Sequence, residues 1–173
     1  MKKNTTKKSG FSLVETLIAV ALFSFVATMI GGSFASFLRN YIDLKKSQRE
    51  MESAQYAMNL ITKTIRTSTI AAGNVDGQVI KMLDHSSGQC VIFKYAGSGA
   101  TGRIQVATQS GPTDVSACGA GNSFHDITKP GDIANLNFVG SPTSGSSFGN
   151  MRIGIVGASR SDIILQTTVS LRQ

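Results

Sequence analysis

No proline occurs before Pro112, and residues 11–38 contain no lysine, arginine or aspartate. The first absence leaves the N-terminal part free of the strongest helix breaker. The second leaves Glu15 as the one charge in a stretch of 28 residues. Cysteine and histidine are scarce: Cys90, Cys118, His85 and His125 are all there are. They form no CxxC pair and no cluster at ligand spacing, so no zinc site is expected. The sequence holds no Walker or HExxH pattern and no obvious nucleophile–base pair, so no catalytic residue and no enzyme activity is expected. Asp126 beside His125, and Asp132, read as surface polar residues. The acids are scattered and match no EF-hand loop, so neither a calcium site nor any other metal or cofactor is expected.

Charge is unevenly placed. The net charge is +7, but Lys2, Lys3, Lys7 and Lys8 contribute four of the seventeen basic residues. Past residue 10, thirteen basic side chains face ten acidic ones. That mild excess gives no positive support to nucleic-acid binding, and no specific nucleic acid is expected as a partner. The two cysteines leave two states open. In a reducing compartment they are thiols; outside the cytoplasm they can form one disulfide, Cys90–Cys118, worth roughly 3–4 kcal/mol in the chain-entropy model.

As a helix, residues 11–38 extend ~42 Å at about 1.5 Å per residue, against ~30 Å of hydrocarbon. The segment is long enough to cross a membrane. A carboxylate near the centre of such a span costs roughly 2.5 kcal/mol or more, so Glu15 needs a reason. A cleaved secretory signal explains the basic start, with Ser33-Phe34-Ala35 as a loose small-x-small site. It does not explain the length or the early glutamate. A plain signal anchor explains the length and gives Glu15 no purpose. A third reading places the cut at Gly10, before the apolar run, so that only the lysine-rich leader is lost.

The stretch Lys7-Lys8-Ser9-Gly10-Phe11-Ser12-Leu13-Val14-Glu15, followed by Thr16-Leu17-Ile18-Ala19, resembles the prepilin signal of type IV pilins and of type II secretion pseudopilins. The resemblance covers about the first 60 residues. It implies cleavage after Gly10 by a prepilin peptidase that also methylates the new N-terminal Phe11. It implies that Glu15, about one helical turn from that amine, pairs with the N-terminal amine of a neighbouring subunit during assembly. It also implies a pilin fold, other pilin or pseudopilin subunits and membrane lipid as partners, and a single pass through the cytoplasmic (inner) membrane with the C-terminal domain outside the cytoplasm. The positive-inside count alone is a tie, because Arg39, Lys45, Lys46 and Arg49 follow the span. The run Asp162-Ile163-Ile164-Leu165-Gln166-Thr167-Thr168-Val169-Ser170-Leu171-Arg172 resembles the end of J-type minor pseudopilins and related minor pilins. Many relatives carry a proline near Gly31-Gly32. This chain does not, and the paired glycines mark a place where the helix can bend or loosen, each costing about 1 kcal/mol relative to alanine.

Residues 39–70 are rich in helix formers, among them Lys45, Lys46, Gln48, Arg49, Glu50, Met51 and Glu52. Met51, Ala54, Met58, Ile61 and Ile65 recur at helical spacing and predict one apolar stripe packed on the chain's own domain. After residue 71 the texture changes to short β-prone runs between turn residues. Strands are expected at 78–84, 89–95, 103–108, 133–139, 151–156 and 163–171. Short spacers at 85–88 and 96–101 predict antiparallel hairpins. Residues 110–129 and 141–150 read as surface loops. The expected class is α+β: a leader (1–10), a transmembrane assembly helix (11–38), its amphipathic continuation (39–70) and a β-rich domain (71–173). The competing reading from another class is a secreted or signal-anchored β-domain acting as a binding module.

Overall fold

The computed structural model describes residues 10–71, 74–112, 114–119, 123–142, 148–159 and 164–171. Among the described residues, one α-helix, α1 (Leu13–Arg66), is followed by nine strands: β1 (Ser68–Thr69), β2 (Val75–Asp76), β3 (Val79–Asp84), β4 (Gln89–Ala96), β5 (Arg103–Ser110), β6 (His125–Asp126), β7 (Ile133–Pro142), β8 (Phe148–Gly157) and β9 (Ile164–Ser170). Every strand pair is antiparallel. The architecture is the expected α+β one, a long N-terminal helix packed on antiparallel sheets, consistent with the pilin fold. Gly31 and Gly32 are helical like their neighbours.

The chain divides into two compact units, Met1–Leu44 and Lys45–Gln173. In the second unit, strands run β1-β3-β4-β5-β6 in one sheet, with β2 also on β3, and β7-β8-β9 in the other. The β3–β4 hairpin turns through residues 85–88, and β4 returns to β5 through a short 3-10 turn at Gly99–Thr101. Buried Ala54, Ala57, Met58, Ile61 and Ile65 of α1 join one core with Ile80, Met82, Phe93 and Ile104 of the first sheet and Leu136, Phe138, Met151, Ile153 and Ile155 of the second. Strand alternation supplies this core from one face of each sheet, because successive side chains point to opposite sides.

The helix stripe differs from expectation at its start. Met51 is exposed, whereas Glu50 and Ala57 are buried. The buried face follows Glu50, Ala54, Ala57 and Met58, Ile61 and Ile65 at spacings of three and four. Met51 lies at the margin of that face, about 100° around the helix from Glu50 and before the core-packed part of the stripe, which starts at Ala54, and is exposed.

Two segments read as surface loops also differ. β7 continues to Pro142 and β8 starts at Phe148, so the described part of 141–150 belongs to the two paired strands. Within 110–129, Val115–Ala117 forms a 3-10 turn and His125–Asp126 pairs with β5. Val115 and Cys118 are buried with Cys90 in a second small cluster, against Leu83. Register places Cys90, Leu83 and Ala107 on the side of the first sheet away from Val91 and Phe93. Part of 110–129 therefore covers that outer face instead of running through solvent. Cys90 and Cys118 are paired there as a disulfide, with Cα atoms 5.7 Å apart.

Gly102 is required where the sheets meet. A Cβ there would overlap the Ile133 carbonyl oxygen and the Tyr95 hydroxyl. That hydroxyl donates to the Ala134 carbonyl at 2.6 Å. Burial raises the Tyr95 pKa above its ordinary value.

Candidate assembly site

Gly10 and Phe11 precede the helix, and Phe11 is 81% exposed. Lys2, Lys3, Lys7 and Lys8 lie outside the described residues. Glu15 stands in the first turn of α1, where the positive end of the helix dipole favours a carboxylate. It is exposed and has no ion-pair partner among the described residues. From Gly10 to Leu44 every residue is exposed, including Leu17, Phe23, Val26, Ile30, Phe34 and Phe37. The first half of α1 is long and apolar enough to cross a membrane, and none of that apolar window is buried.

Four hydroxyls in this segment are satisfied locally. Thr16 Oγ1 donates to the Leu13 carbonyl at 2.8 Å, Ser24 Oγ to Val20 at 2.8 Å, Thr28 Oγ1 to Phe25 at 2.8 Å and Ser33 Oγ to Met29 at 3.1 Å. Such back-bonds remove the need for water, so these polar residues are compatible with an apolar medium. Helical geometry also groups small side chains: Ser24, Ala27, Thr28, Gly31 and Ala35 fall on one face at spacings of three and four. Small residues on one face allow close approach of a second helix in lipid. Sequence reasoning treated Gly31-Gly32 as a bend and missed this face, although the three- and four-residue spacing of small residues carries it.

The second unit holds the helix by buried polar contacts as well as by its core. Asp132 is fully buried; it accepts from Ser53 Oγ at 2.8 Å and from Arg49 Nη2 at 3.1 Å. Reading Asp132 as a surface residue was therefore wrong, and its partners lie about 80 positions away, beyond any local signal. Glu50 is also fully buried; it accepts from the Ser159 backbone N–H at 2.9 Å and from the Ser159 hydroxyl. His125 and Asp126 are exposed, and Asp126 pairs with Arg103 at 3.0 Å. No group of three or more potential metal ligands is found among the described residues.

The exposed apolar first half of α1, leading into an α+β domain, is compatible with a membrane anchor. The comparison with known families agrees. Residues 5–31 match the prokaryotic N-terminal methylation motif, the signature of type IV pilins and pseudopilins. The chain thus carries the prepilin cleavage and methylation motif, and the match supports a type IV pilin-like subunit that is processed, methylated and anchored in the inner membrane. The motif implies prepilin peptidase and other pilins as partners; the proteins that bear it are structural. Comparison with curated proteins and with solved structures gives no match.

Proposed function

We propose that this chain is a minor pilin or pseudopilin, a structural subunit of a type IV pilus-like or type II secretion filament. Prepilin peptidase cuts after Gly10, removing the leader 1–10, and Phe11 receives the methyl group. Residues 11–38 cross the inner membrane once, and the domain beyond them lies outside the cytoplasm. That compartment suits the Cys90–Cys118 bond. Assembly proceeds by packing of the apolar helices, aided by the small face through Ser24, Thr28 and Gly31.

Glu15 pairs with the Phe11 amine of a neighbouring subunit. Opposite charges ~4 Å apart attract by about 4 kcal/mol at an effective dielectric of about 20. The same pairing relieves the penalty of a lone carboxylate in lipid. The observation that carries the reading is the motif at residues 5–31, set on a helix whose first half buries nothing within the chain.

Mass spectrometry of the mature N-terminus tests it. A chain beginning at methylated Phe11 is expected; one beginning near Ser36 overturns the proposal and favours a secreted β-domain. Glu15→Ala should leave membrane insertion intact and lower incorporation into filaments. Unchanged incorporation would remove the pairing role.

A further inference from the structure

Sheet edges invite pairing with other chains unless they are shortened, charged, bulged or covered. Most edges here are managed in one of these ways. β1, β2 and β6 are two residues long, and β6 carries Asp126 tied to Arg103. β7 has register shifts near both ends and finishes at Pro142. Its backbone is also engaged, since the Phe138 N–H donates to the Gly77 carbonyl at 2.6 Å.

Among the described residues, β9 has none of these devices. It runs seven residues, Ile164–Ser170, without charge or proline, and it pairs with β8 in unbroken register. No backbone hydrogen bond to its other side occurs among the described residues. Beside Thr168, Val169 and Ser170 lies an open cleft of about 630 Å³, whose remaining lining is Arg66 and Thr67 of the helix end. Arg66 is exposed and has no ion-pair partner among the described residues. Arg152, exposed and opposite Thr168 in the register, adds a second positive charge nearby. Among the described residues, no acid lines the cleft.

We propose that the free edge of β9 docks an extended segment of another protein, which adds as a further strand and brings a carboxylate to Arg66. Main-chain hydrogen bonds along β9 supply the binding, and the charge at the cleft selects acidic segments over basic ones. A strand needs about 4.8 Å beside its neighbour, and the cleft leaves the C-terminal half of β9 open to it. The inference goes beyond the filament reading and stands without it.

The probe is a synthetic peptide of about seven residues, alternating threonine and valine with one glutamate near an end, added to the full chain in detergent. Fluorescence titration should saturate, and hydrogen exchange should slow at β9 amides. N-methylating alternate amides on one edge of the peptide should abolish binding, whereas methylating the opposite set should not. Replacing the glutamate by lysine should weaken binding about fivefold or more, and Arg66→Glu should reverse that preference. Binding indifferent to N-methylation, no binding, or β9 already protected by self-association without peptide would each overturn the proposal. Because the protein is unchanged across the peptide series, misfolding cannot mimic the result.

Discussion

Glu50 offers the sharpest test of how the helix is held. Its side chain is fully buried, and Ser159 supplies both of its hydrogen bonds, one from the backbone N–H at 2.9 Å and one from the hydroxyl. Each such bond contributes about 0.5–1.5 kcal/mol net, and a donor left unsatisfied by truncation costs more where water cannot reach it. Ser159 itself is exposed, so its groups are partly rehydrated after truncation. Glu50→Ala should therefore destabilise the domain by about 1–3 kcal/mol. Glu50→Gln keeps one acceptor oxygen and should cost less. Ser159→Ala loses only the hydroxyl and should cost about 1 kcal/mol. The double variant Glu50→Ala/Ser159→Ala should be less damaging than the sum, with a coupling of about 0.5–2 kcal/mol. Thermal unfolding followed by circular dichroism reads these as shifts of about 3–6 °C per kcal/mol for a domain of this size. Strict additivity, or a Glu50→Ala variant as stable as the parent, would refute the idea that this contact anchors the helix.

Two further outcomes follow from contacts in the β-rich part. Burial raises the Asp84 pKa, but hydrogen bonds from Thr67, Ser86 and Ser87 outweigh it and lower the value from 3.8 to about 2. The stabilisation is thus complete above about pH 4 and is lost as pH falls through 2, so the stability gap between the parent and Asp84→Asn, about 1–2 kcal/mol after solvent screening, should close over that window in acid melts. Cys90 and Cys118 are both buried, so reductant should lower the melting temperature only as the domain opens, and Cys90→Ser/Cys118→Ser should lose about 3–4 kcal/mol. Two alkylatable thiols in the intact mature chain would contradict that.

Much of the fold was legible because its signals are local. The strands at 89–95 and 103–108 were marked by β-branched runs, and the structure extends them by one and two residues, to Ala96 and Ser110. The short pairings β1, β2 and β6 have no pattern of their own; they exist because β3 and β5 present free edges. The cover over the outer face of β4 was missed for a similar reason. Val115 and Cys118 sit among glycine, serine and threonine, which read as solvated loop, and their burial depends on Cys90 in another strand. At the N-terminus the position was reversed. Gly10, Phe11 and Glu15 are spaced within a few residues of one another, so the motif could be read without any tertiary structure.

The two glutamates of α1 show the limit of local context most clearly. Glu15 lies in an apolar run and reads as a charge that must be buried, yet the single chain leaves it exposed. Glu50 lies between Arg49 and Met51, two residues before Glu52, and reads as a solvated helix position; it is fully buried. Its partner is 109 residues further along, so nothing near it in sequence announces the burial. Each carboxyl has the solution its surroundings in three dimensions allow. Glu50 finds donors inside its own domain and serves to fix the helix there. Glu15 has no donor among the described residues and is the one charge in a largely apolar run. A charge so placed is stabilised most by a cation that a second chain brings to it, and for that reason the two acids differ in what their loss should do. Removing Glu50 should lower the melting temperature of the isolated chain, and removing Glu15 should lower its assembly while leaving that temperature unchanged.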